Sequence, residues 1–75
     1  MSDQGKKIGM RVKLARIERE LSQQELAEQL GMQQYAVSGW ETGKRPLRVE
    51  EAIRLAEALG VSVGYLAGEE QRAAA

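Results

Sequence analysis

The side chains best able to do chemistry in this 75-residue chain are amides and hydroxyls concentrated in one short segment. The members of this group are Gln33, Gln34, Tyr35, Ser38 and Thr42. Such groups donate and accept hydrogen bonds, but they are weak acids, bases and nucleophiles unless a neighbour activates them. A Gln amide can pair with both N6 and N7 of adenine, so the set is suited to reading the edges of bases.

The composition gives little support to catalysis or metal binding. The chain has no Cys and no His, which excludes disulfides, zinc sites and imidazole catalysis. Its only Asp is Asp3, close to the N-terminus, and no Ser has a His to activate it. Glu50 and Glu51 are better explained by the positive end of a helix dipole than as a metal pair. We therefore expect no enzyme activity, no cofactor, no bound metal and no small-molecule ligand.

A pattern of apolar and small residues around the polar segment predicts a helix-turn-helix over residues 23–42. Leu26, Val37 and Trp40 are apolar where two helices crossing at about a right angle bury side chains. Gly31 falls at the turn, where a positive φ favours glycine. A helical period does not by itself require a glycine at this point, so the pattern is specific.

Start and stop signals predict five helices in a single all-α domain. They cover approximately residues 6–20, 22–30, 33–42, 49–59 and 63–67. Ser22 and Glu25 have the spacing of a capping box before the second helix. Residues 1–5 and 69–75 lack apolar periodicity, so we expect flexible tails around a domain of residues 6–68. No apolar run approaches the roughly 20 residues of a membrane span, and we expect a cytoplasmic protein.

The charges cancel overall, with eleven basic and eleven acidic residues, but they are segregated along the sequence. Residues 1–20 carry six Lys or Arg against three acids, and residues 43–49 carry three bases and no acid. Residues 50–75 carry five Glu against two Arg. The basic segments would therefore flank the third helix, where the phosphates beside a DNA groove would meet them.

Several motifs together make the chain resemble the Cro/C1-type helix-turn-helix family, also called the xenobiotic-response-element (XRE) type. The resemblance covers about residues 8–68 and is carried by IG at 8–9, Arg16, LSQQELA at 21–27, LG at 30–31, VSGWETGKRP at 37–46 and LAEALGVS at 55–62. It implies a lambda-repressor-like five-helix fold. It also implies a transcriptional regulator that places its third helix in the major groove of double-stranded DNA, usually as a homodimer on a two-fold operator.

Individual roles follow from this resemblance. The residues expected to read bases are Gln33, Gln34, Tyr35 and Ser38, with Gln34 the best candidate for adenine. The residues expected to bind phosphates are Gln23, Thr42, Lys44 and Arg45. The resemblance also implies a partly buried ion pair between Arg16 and Glu41. Gln33 could instead only cap its helix. Tyr35 could contact a thymine methyl or a phosphate, or only cover the second helix.

Two features fit this interpretation less well. Gly39 occupies an outward position in mid-helix, which costs roughly 1 kcal/mol relative to Ala and offers no side chain to a base. Either a base or phosphate approaches closely there, or specificity is low at that step. Met10, Leu14 and Ile17 form a second apolar stripe on the first helix. This stripe is covered by the fifth helix or the C-terminal tail, or it contacts a partner.

Two further expectations concern the dimer surface and an alternative function. The candidate dimer residues are Val61, Val63, Tyr65 and Leu66, with the stripe on the first helix as the competing surface. The alternative function is a protein-binding module, such as the antitoxin of a toxin pair or an adaptor, that uses the same fold with weak DNA affinity. Zero net charge, Gly39 and the second stripe favour this alternative.

Overall fold

The computed structural model describes residues 3–69, with the side chains of residues 5–69. Five helices follow one another in this part of the chain: α1 (Asp3–Glu18), α2 (Gln23–Leu30), α3 (Gln34–Thr42), α4 (Val49–Leu59) and α5 (Val63–Leu66). Residues 3–69 contain no β-strand. The expected all-α, five-helix fold is therefore confirmed. The bounds of α4 are those predicted, α2 and α3 each begin one residue later, α5 ends one residue earlier, and α1 differs at both ends.

The first helix lies earlier in the sequence than its apolar periodicity predicts. It begins at Asp3 rather than near Lys6, because the backbone of its first turns packs against the end of α3. A Cβ atom on Gly43 would lie 3.1 Å from the backbone N of Lys6. A contact between backbones does not affect the spacing of apolar side chains, so that spacing could not predict where α1 begins. At the other end the helix stops before Glu20, whose φ of 57° is left-handed.

The second helix begins with the capping box that its sequence indicates. The Glu25 N–H donates to Ser22 Oγ at 3.0 Å, and the Ser22 N–H donates to Glu25 Oε1 at 2.8 Å. These bonds hold the pKa of the Glu25 carboxyl below its ordinary value. The helix ends at Gly31, whose φ of 67° is the left-handed conformation expected at the turn. Local contacts thus fix both ends of α2, the first helix of the motif.

The core lies where α1, α2, α3 and α4 meet, and α5 closes it. Its largest fully buried side chains are Trp40, Leu26, Leu55, Leu59, Leu66, Val12 and Val37. Trp40 supplies the greatest volume, and its Nε1 has no hydrogen-bond partner among residues 3–69. The α4 helix is tied to α2 because the Arg54 guanidinium donates to the backbone carbonyl of Leu30. That carbonyl belongs to the last turn of α2, where helix carbonyls lack partners.

The contact between α1 and α3 depends on Gly9. A Cβ atom at this position would lie 2.5 Å from the carbonyl oxygen of Glu41 and closer still to that of Trp40. Both obstacles are backbone atoms, so they cannot rotate away as a flexible side chain can. Only glycine therefore allows α1 to approach α3 this closely. The sequence analysis included Gly9 in the family motif without identifying this reason for it.

Candidate nucleic-acid interface

The third helix separates its residues into a buried side and an outward side. Ala36, Val37 and Trp40 are 1%, 0% and 1% exposed, whereas Tyr35 is 71% exposed. Gln34 is also exposed, and it is the first residue of the helix. Because α3 packs on both α1 and α2 through its buried side, its first turn and outward side remain accessible. This is the arrangement required of a helix that enters a groove.

Gln33 lies just outside the helix to which it was assigned. It occupies the N-cap position, with φ of −85° and ψ of 151°, so α3 begins one residue later than expected. Its side chain makes no capping hydrogen bond and is exposed. Gln33 thus occupies the N-cap position without a side-chain capping bond, since a capping amide would accept a backbone N–H.

A chain of side-chain hydrogen bonds leads from the first turn of α3 into the domain. Gln34 Nε2 donates to Gln23 Oε1 at 3.3 Å, and Gln23 Nε2 donates to Glu41 Oε1 at 3.0 Å. Arg16 then donates to Glu41 from Nε at 2.6 Å and from Nη2 at 3.2 Å. A further bond joins Arg16 Nη1 to the carbonyl of Leu21 at 2.7 Å. The orientation of both amides is thereby set by the charged pair behind them.

The ion pair in this chain is largely removed from solvent. The side chains of Arg16 and Glu41 are 11% and 4% exposed. Three donors satisfy the Glu41 carboxylate, two from Arg16 and one from Gln23. A buried charge with this many partners is stable, but removing one partner would leave the other without compensation. The structure thus brings together both residues of the expected ion pair and two of the expected DNA contacts.

Two of the four residues assigned to phosphates are occupied within the domain. Thr42 Oγ1 lies 3.1 Å from the carbonyl of Ser38 and 3.2 Å from that of Gly39, so its proton is donated inside α3. Arg45 Nη2 donates to Glu51 Oε2 at 3.0 Å, and its guanidinium lies 5.6 Å from the centre of the Trp40 ring. Both side chains therefore serve the fold directly. Lys44, by contrast, is exposed.

Gly39 has a reason within the domain that the sequence did not reveal, which is the room it leaves for Arg45. A Cβ atom on Gly39 would lie 2.9 Å from Cβ of Arg45. The Arg45 N–H also donates to the Gly39 carbonyl at 3.0 Å. Glycine at this position leaves room for the Arg45 side chain to cross α3 and reach Trp40. Its cost in helix propensity is thus offset by a tertiary contact that a single sequence does not reveal.

The same arginine affects a nearby carboxylate at the start of α4. Burial raises the pKa of the Glu51 carboxyl, but hydrogen bonds from the Arg48 N–H and the Arg45 guanidinium outweigh that effect. Its pKa therefore lies below the ordinary value of 4.5. The Arg48 N–H is 3.1 Å from Glu51 Oε1 and would otherwise lack a partner at the helix start. In addition to the interaction expected with the helix dipole, Glu51 therefore accepts these two hydrogen bonds.

The candidate dimer residues are divided by the structure. Tyr65 and Leu66 are 6% and 1% exposed and belong to the core of the monomer, so assigning them to a dimer surface was wrong. Their apolar side chains are used to close the domain over α1 and α4. Val61 is half-buried and Val63 is 41% exposed. Val63 lines an apolar groove of about 180 Å³, whose other members are Ile8, Leu47, Val49, Ala52, Leu66 and Ala67.

The groove includes a residue that the sequence analysis missed. Val49, the first residue of α4, is 73% exposed, and Ile53 one turn later is 48% exposed. The sequence predicted the bounds of α4 but not which of its apolar residues are left exposed. On α1, Met10, Leu14 and Ile17 remain 62%, 49% and 51% exposed, so α5 does not cover the second stripe. The C-terminal tail lies outside the described residues.

Two kinds of feature are absent from the part of the chain that the structure describes. None of the helices between residues 3 and 69 has the length and apolar character needed to cross a bilayer. The same residues include no cluster of three or more His, Cys, Asp or Glu side chains arranged to hold a metal ion.

Comparisons with known proteins agree with this geometry. A profile of the helix-turn-helix family matches residues 12–66. The restriction-modification controller protein C.AhdI from Aeromonas hydrophila is 33% identical, over 81% of this chain and 92% of its own, with a TM-score of 0.77. The DNA-binding domain of BldD is 26% identical over 88% of this chain and 96% of its own, with a TM-score of 0.79.

A third solved structure supports the fold alone, because its sequence is more distant. The clp gene regulator ClgR from C. glutamicum is 23% identical over 92% of this chain and 90% of its own, with a TM-score of 0.82. No protein with a curated function matches the sequence. The match over residues 12–66 includes α2, α3 and α4 in full. The chain therefore belongs to the helix-turn-helix family of Cro/C1 (XRE) type, with the expected lambda-repressor-like five-helix fold.

Proposed function

We propose that this protein is a sequence-specific DNA-binding transcriptional regulator that acts as a homodimer on a two-fold operator. Membership of the family and its likeness to C.AhdI and to the DNA-binding domain of BldD support DNA binding. In this proposal α3 enters the major groove with its N-terminal end towards the bases. The observation that carries the proposal is the orientation of the Gln34 amide.

Part of the Gln34 amide is available for hydrogen bonds to a base. Of its two N–H groups, one is donated to Gln23 Oε1 at 3.3 Å. The proposal requires that the N–H donated to Gln23 is the one on the far side of the amide from Oε1, so that the N–H beside Oε1 stays available on this exposed residue. A donor beside an acceptor is the complement of N7 and N6–H of adenine in the major groove. Because Gln23 is itself held by Glu41, the amide meets the base already oriented.

The neighbouring residues complete the proposed reading surface. Gln33 is exposed without a capping bond, and Tyr35 is 71% exposed one position beyond Gln34. Tyr35 has a ring that suits a thymine methyl and a hydroxyl that can reach a phosphate. Ser38, one turn later, is half-buried and contributes at the margin of the surface.

Phosphates would be held on both sides of this helix. Gln23 begins α2, where free backbone N–H groups and the helix dipole favour an anion. Lys44 follows α3 and is exposed, so it can approach the backbone as a point charge. The Thr42 hydroxyl donates its proton within α3, so Thr42 is not among the proposed phosphate contacts. Arg45 donates one N–H to Glu51, and a guanidinium has five, so Arg45 stays a proposed phosphate contact beside Lys44.

A homodimer is proposed because one recognition helix contacts too few base pairs for selectivity. Two-fold operators require partners whose helices lie about 34 Å apart, which is one turn of DNA. The surface proposed for this contact is the groove that contains Val49 and Val63, which are 73% and 41% exposed. Leu47, in the segment that follows α3, is another of its lining residues.

A mobility-shift experiment with a pool of random duplexes tests the proposal. At low salt, saturable binding should enrich a two-fold sequence containing adenine at matched positions of both half-sites. Affinity should fall steeply with salt because bound Lys and Arg release counterions from phosphates. The control is the same experiment with Gln34→Ala, which should lose the enriched adenine. If the protein does not bind the pool even at low salt, it is not a DNA-binding regulator.

A further inference from the structure

The outer face of α1 is apolar at its centre and faces solvent. Its three members, Met10, Leu14 and Ile17, are 62%, 49% and 51% exposed. At about 100° per residue, this face lies opposite Val12 and Ala15, which are 0% and 1% exposed. A helix in a small domain normally needs only one apolar face. The second face is therefore in excess of what the fold of residues 5–69 requires.

Basic side chains border this face on both sides. At helical spacing, Lys6 and Lys13 lie along one edge, and Lys7 and Arg11 lie along the other. The guanidinium of Arg11 lies 5.3 Å from the centre of the Tyr65 ring. Among residues 5–18 of the helix, the acid on the same outward side is Glu18, at the C-terminal end. The rest of the border within these residues is basic, although the chain as a whole is neutral.

We propose that the outer face of α1 binds an acidic amphipathic helix of a partner protein. The apolar side chains of the partner would pack on Met10, Leu14 and Ile17, and its carboxylates would pair with the bordering lysines, Lys6, Lys7 and Lys13. This is the helix-in-groove type of recognition, read through apolar anchors about one turn apart. Three anchors form a small interface, so charge complementarity must supply part of the affinity and most of the specificity.

A second copy of this chain is a poor occupant of the same face. Pairing α1 with α1 would bring two positively bordered surfaces together. In an antiparallel pair centred on Leu14, each Lys13 would lie beside its counterpart. Like charges placed opposite one another disfavour association, and they do so most strongly at low salt. The charge of the face therefore selects an acidic partner over another copy.

The proposed surface is independent of the one assigned to DNA. Within α1, Gly9 contacts the carbonyl groups of α3, and Arg16 binds Glu41 of α3. These two residues point to a different side of the helix from Met10 and Leu14. A partner on the outer face would therefore leave Gln34 and Tyr35 accessible. The inference holds whether or not the domain reads a specific operator.

The test uses a synthetic helical peptide of about 18 residues, with a stripe of four Leu bordered by Glu. Its affinity for the full chain is measured by fluorescence anisotropy at low and moderate salt. Binding should exceed that of a scrambled peptide of identical composition and should weaken as salt rises. Leu14→Glu and Lys13→Glu should each lower the affinity about tenfold or more. Both positions are exposed, so circular dichroism should show an unchanged fold.

The matched control is Ile53→Glu, which adds the same charge at a residue of similar exposure, 48%, on α4. It should leave the affinity for the peptide unchanged. Equal binding of the ordered and scrambled peptides, or equal binding by Leu14→Glu, overturns the proposal. So does Leu14-dependent self-association in ultracentrifugation, which would make a second copy the occupant. Leu14-dependent sedimentation with phosphatidylserine vesicles would assign the face to a lipid surface instead and would equally overturn it.

Discussion

Arg16 binds both carboxylate oxygens of Glu41, with Nε 2.6 Å from Oε2 and Nη2 3.2 Å from Oε1. This two-point contact joins the first helix to the end of the third. The same carboxylate accepts a hydrogen bond from Gln23, which in turn accepts one from Gln34. One ion pair therefore supports both the packing of the domain and the orientation of the residue proposed to read adenine.

We expect Glu41→Ala to destabilise the domain strongly. The substitution would leave the Arg16 guanidinium, 11% exposed, without its counter-charge, and breaking a buried pair costs about 3–5 kcal/mol. Urea unfolding followed by circular dichroism measures the change. The control is Glu57→Ala, an exposed residue of α4, for which we expect a change within about 0.5 kcal/mol. Similar unfolding curves for the two variants would show that the pair contributes little to stability.

Gln34 and Lys44 should differ in which DNA they affect. Gln34→Ala should cost about 1–3 kcal/mol per half-site on the operator and little on random DNA, because only the operator offers the matched adenine. Lys44→Ala should weaken both alike and reduce the salt slope by about one unit per subunit. Both variants should be titrated on both DNAs across a salt series. If Gln34→Ala weakens random DNA as much as the operator, α3 does not read sequence through this residue.

Gly9→Ala should destabilise the domain, although replacing glycine by alanine within a helix ordinarily stabilises it. The new Cβ atom would lie 2.5 Å from the Glu41 carbonyl oxygen, so α1 and α3 would have to separate. Overpacking of this kind typically costs about 1–3 kcal/mol. Thermal melting measures the effect. The control is Gly31→Ala, where nothing lies within 4 Å of the added atom and only the positive φ opposes it. If Gly31→Ala proves the more damaging change, the proposed close approach is not what constrains Gly9.

Acid should remove the stabilising contribution of Glu51. Its pKa is lower in the folded domain than the ordinary value of 4.5, so the ionised form favours folding. This contribution is complete above the unfolded-state pKa and is lost as pH falls below 4.5, through the lower folded-state value. Glu51→Gln should therefore be less stable near pH 7 and should depend less on pH below about pH 5. The free energy of urea unfolding, measured from pH 7 to about pH 3, checks this. A pH profile for Glu51→Gln that is parallel to that of the wild type contradicts it.

Self-association should depend on the groove of α4 and α5. Val63→Glu and Val49→Glu place a charge where the proposed dimer buries apolar surface, so each should shift sedimentation towards the monomer. Operator binding should weaken in parallel, because the half-sites would be occupied singly. Leu14→Glu, on the outer face of α1, is the control and should sediment as the wild type does. A wild type that is monomeric even on operator DNA would contradict the homodimer.

The elements that depend on local signals were predicted closely from the sequence. The capping residues Ser22 and Glu25 and the glycines at 31 and 60 marked the ends of α2 and α4, because caps and left-handed turns are decided by neighbouring residues. The start of α1 was missed, since the backbone of Lys6 packs against Gly43, far along the chain.

The interface was predicted less completely, because its details depend on contacts between distant residues. The family pattern identified Gln23 and Gln34, but not the hydrogen bond that joins them across two helices. Arg45 was assigned to phosphate through the family resemblance, which did not reveal its contacts with Glu51 and Trp40 within the domain. Tyr65 was assigned to a dimer surface for its apolar character. Apolar periodicity marks which residues are buried, but not whether the same chain or another one buries them.

The hydrogen-bond chain behind Gln34 also constrains how operator preference can diverge among descendants of this protein. A new side chain at position 34 would release the Gln23 amide, which Glu41 holds, so a single change there alters the contacts of two exposed side chains at once. Tyr35, 71% exposed, has no such link to the charged pair, and neither has Gln33, whose side chain makes no capping hydrogen bond. Evolution or redesign towards a new operator would therefore disturb the domain least by changing residues 33 and 35 first.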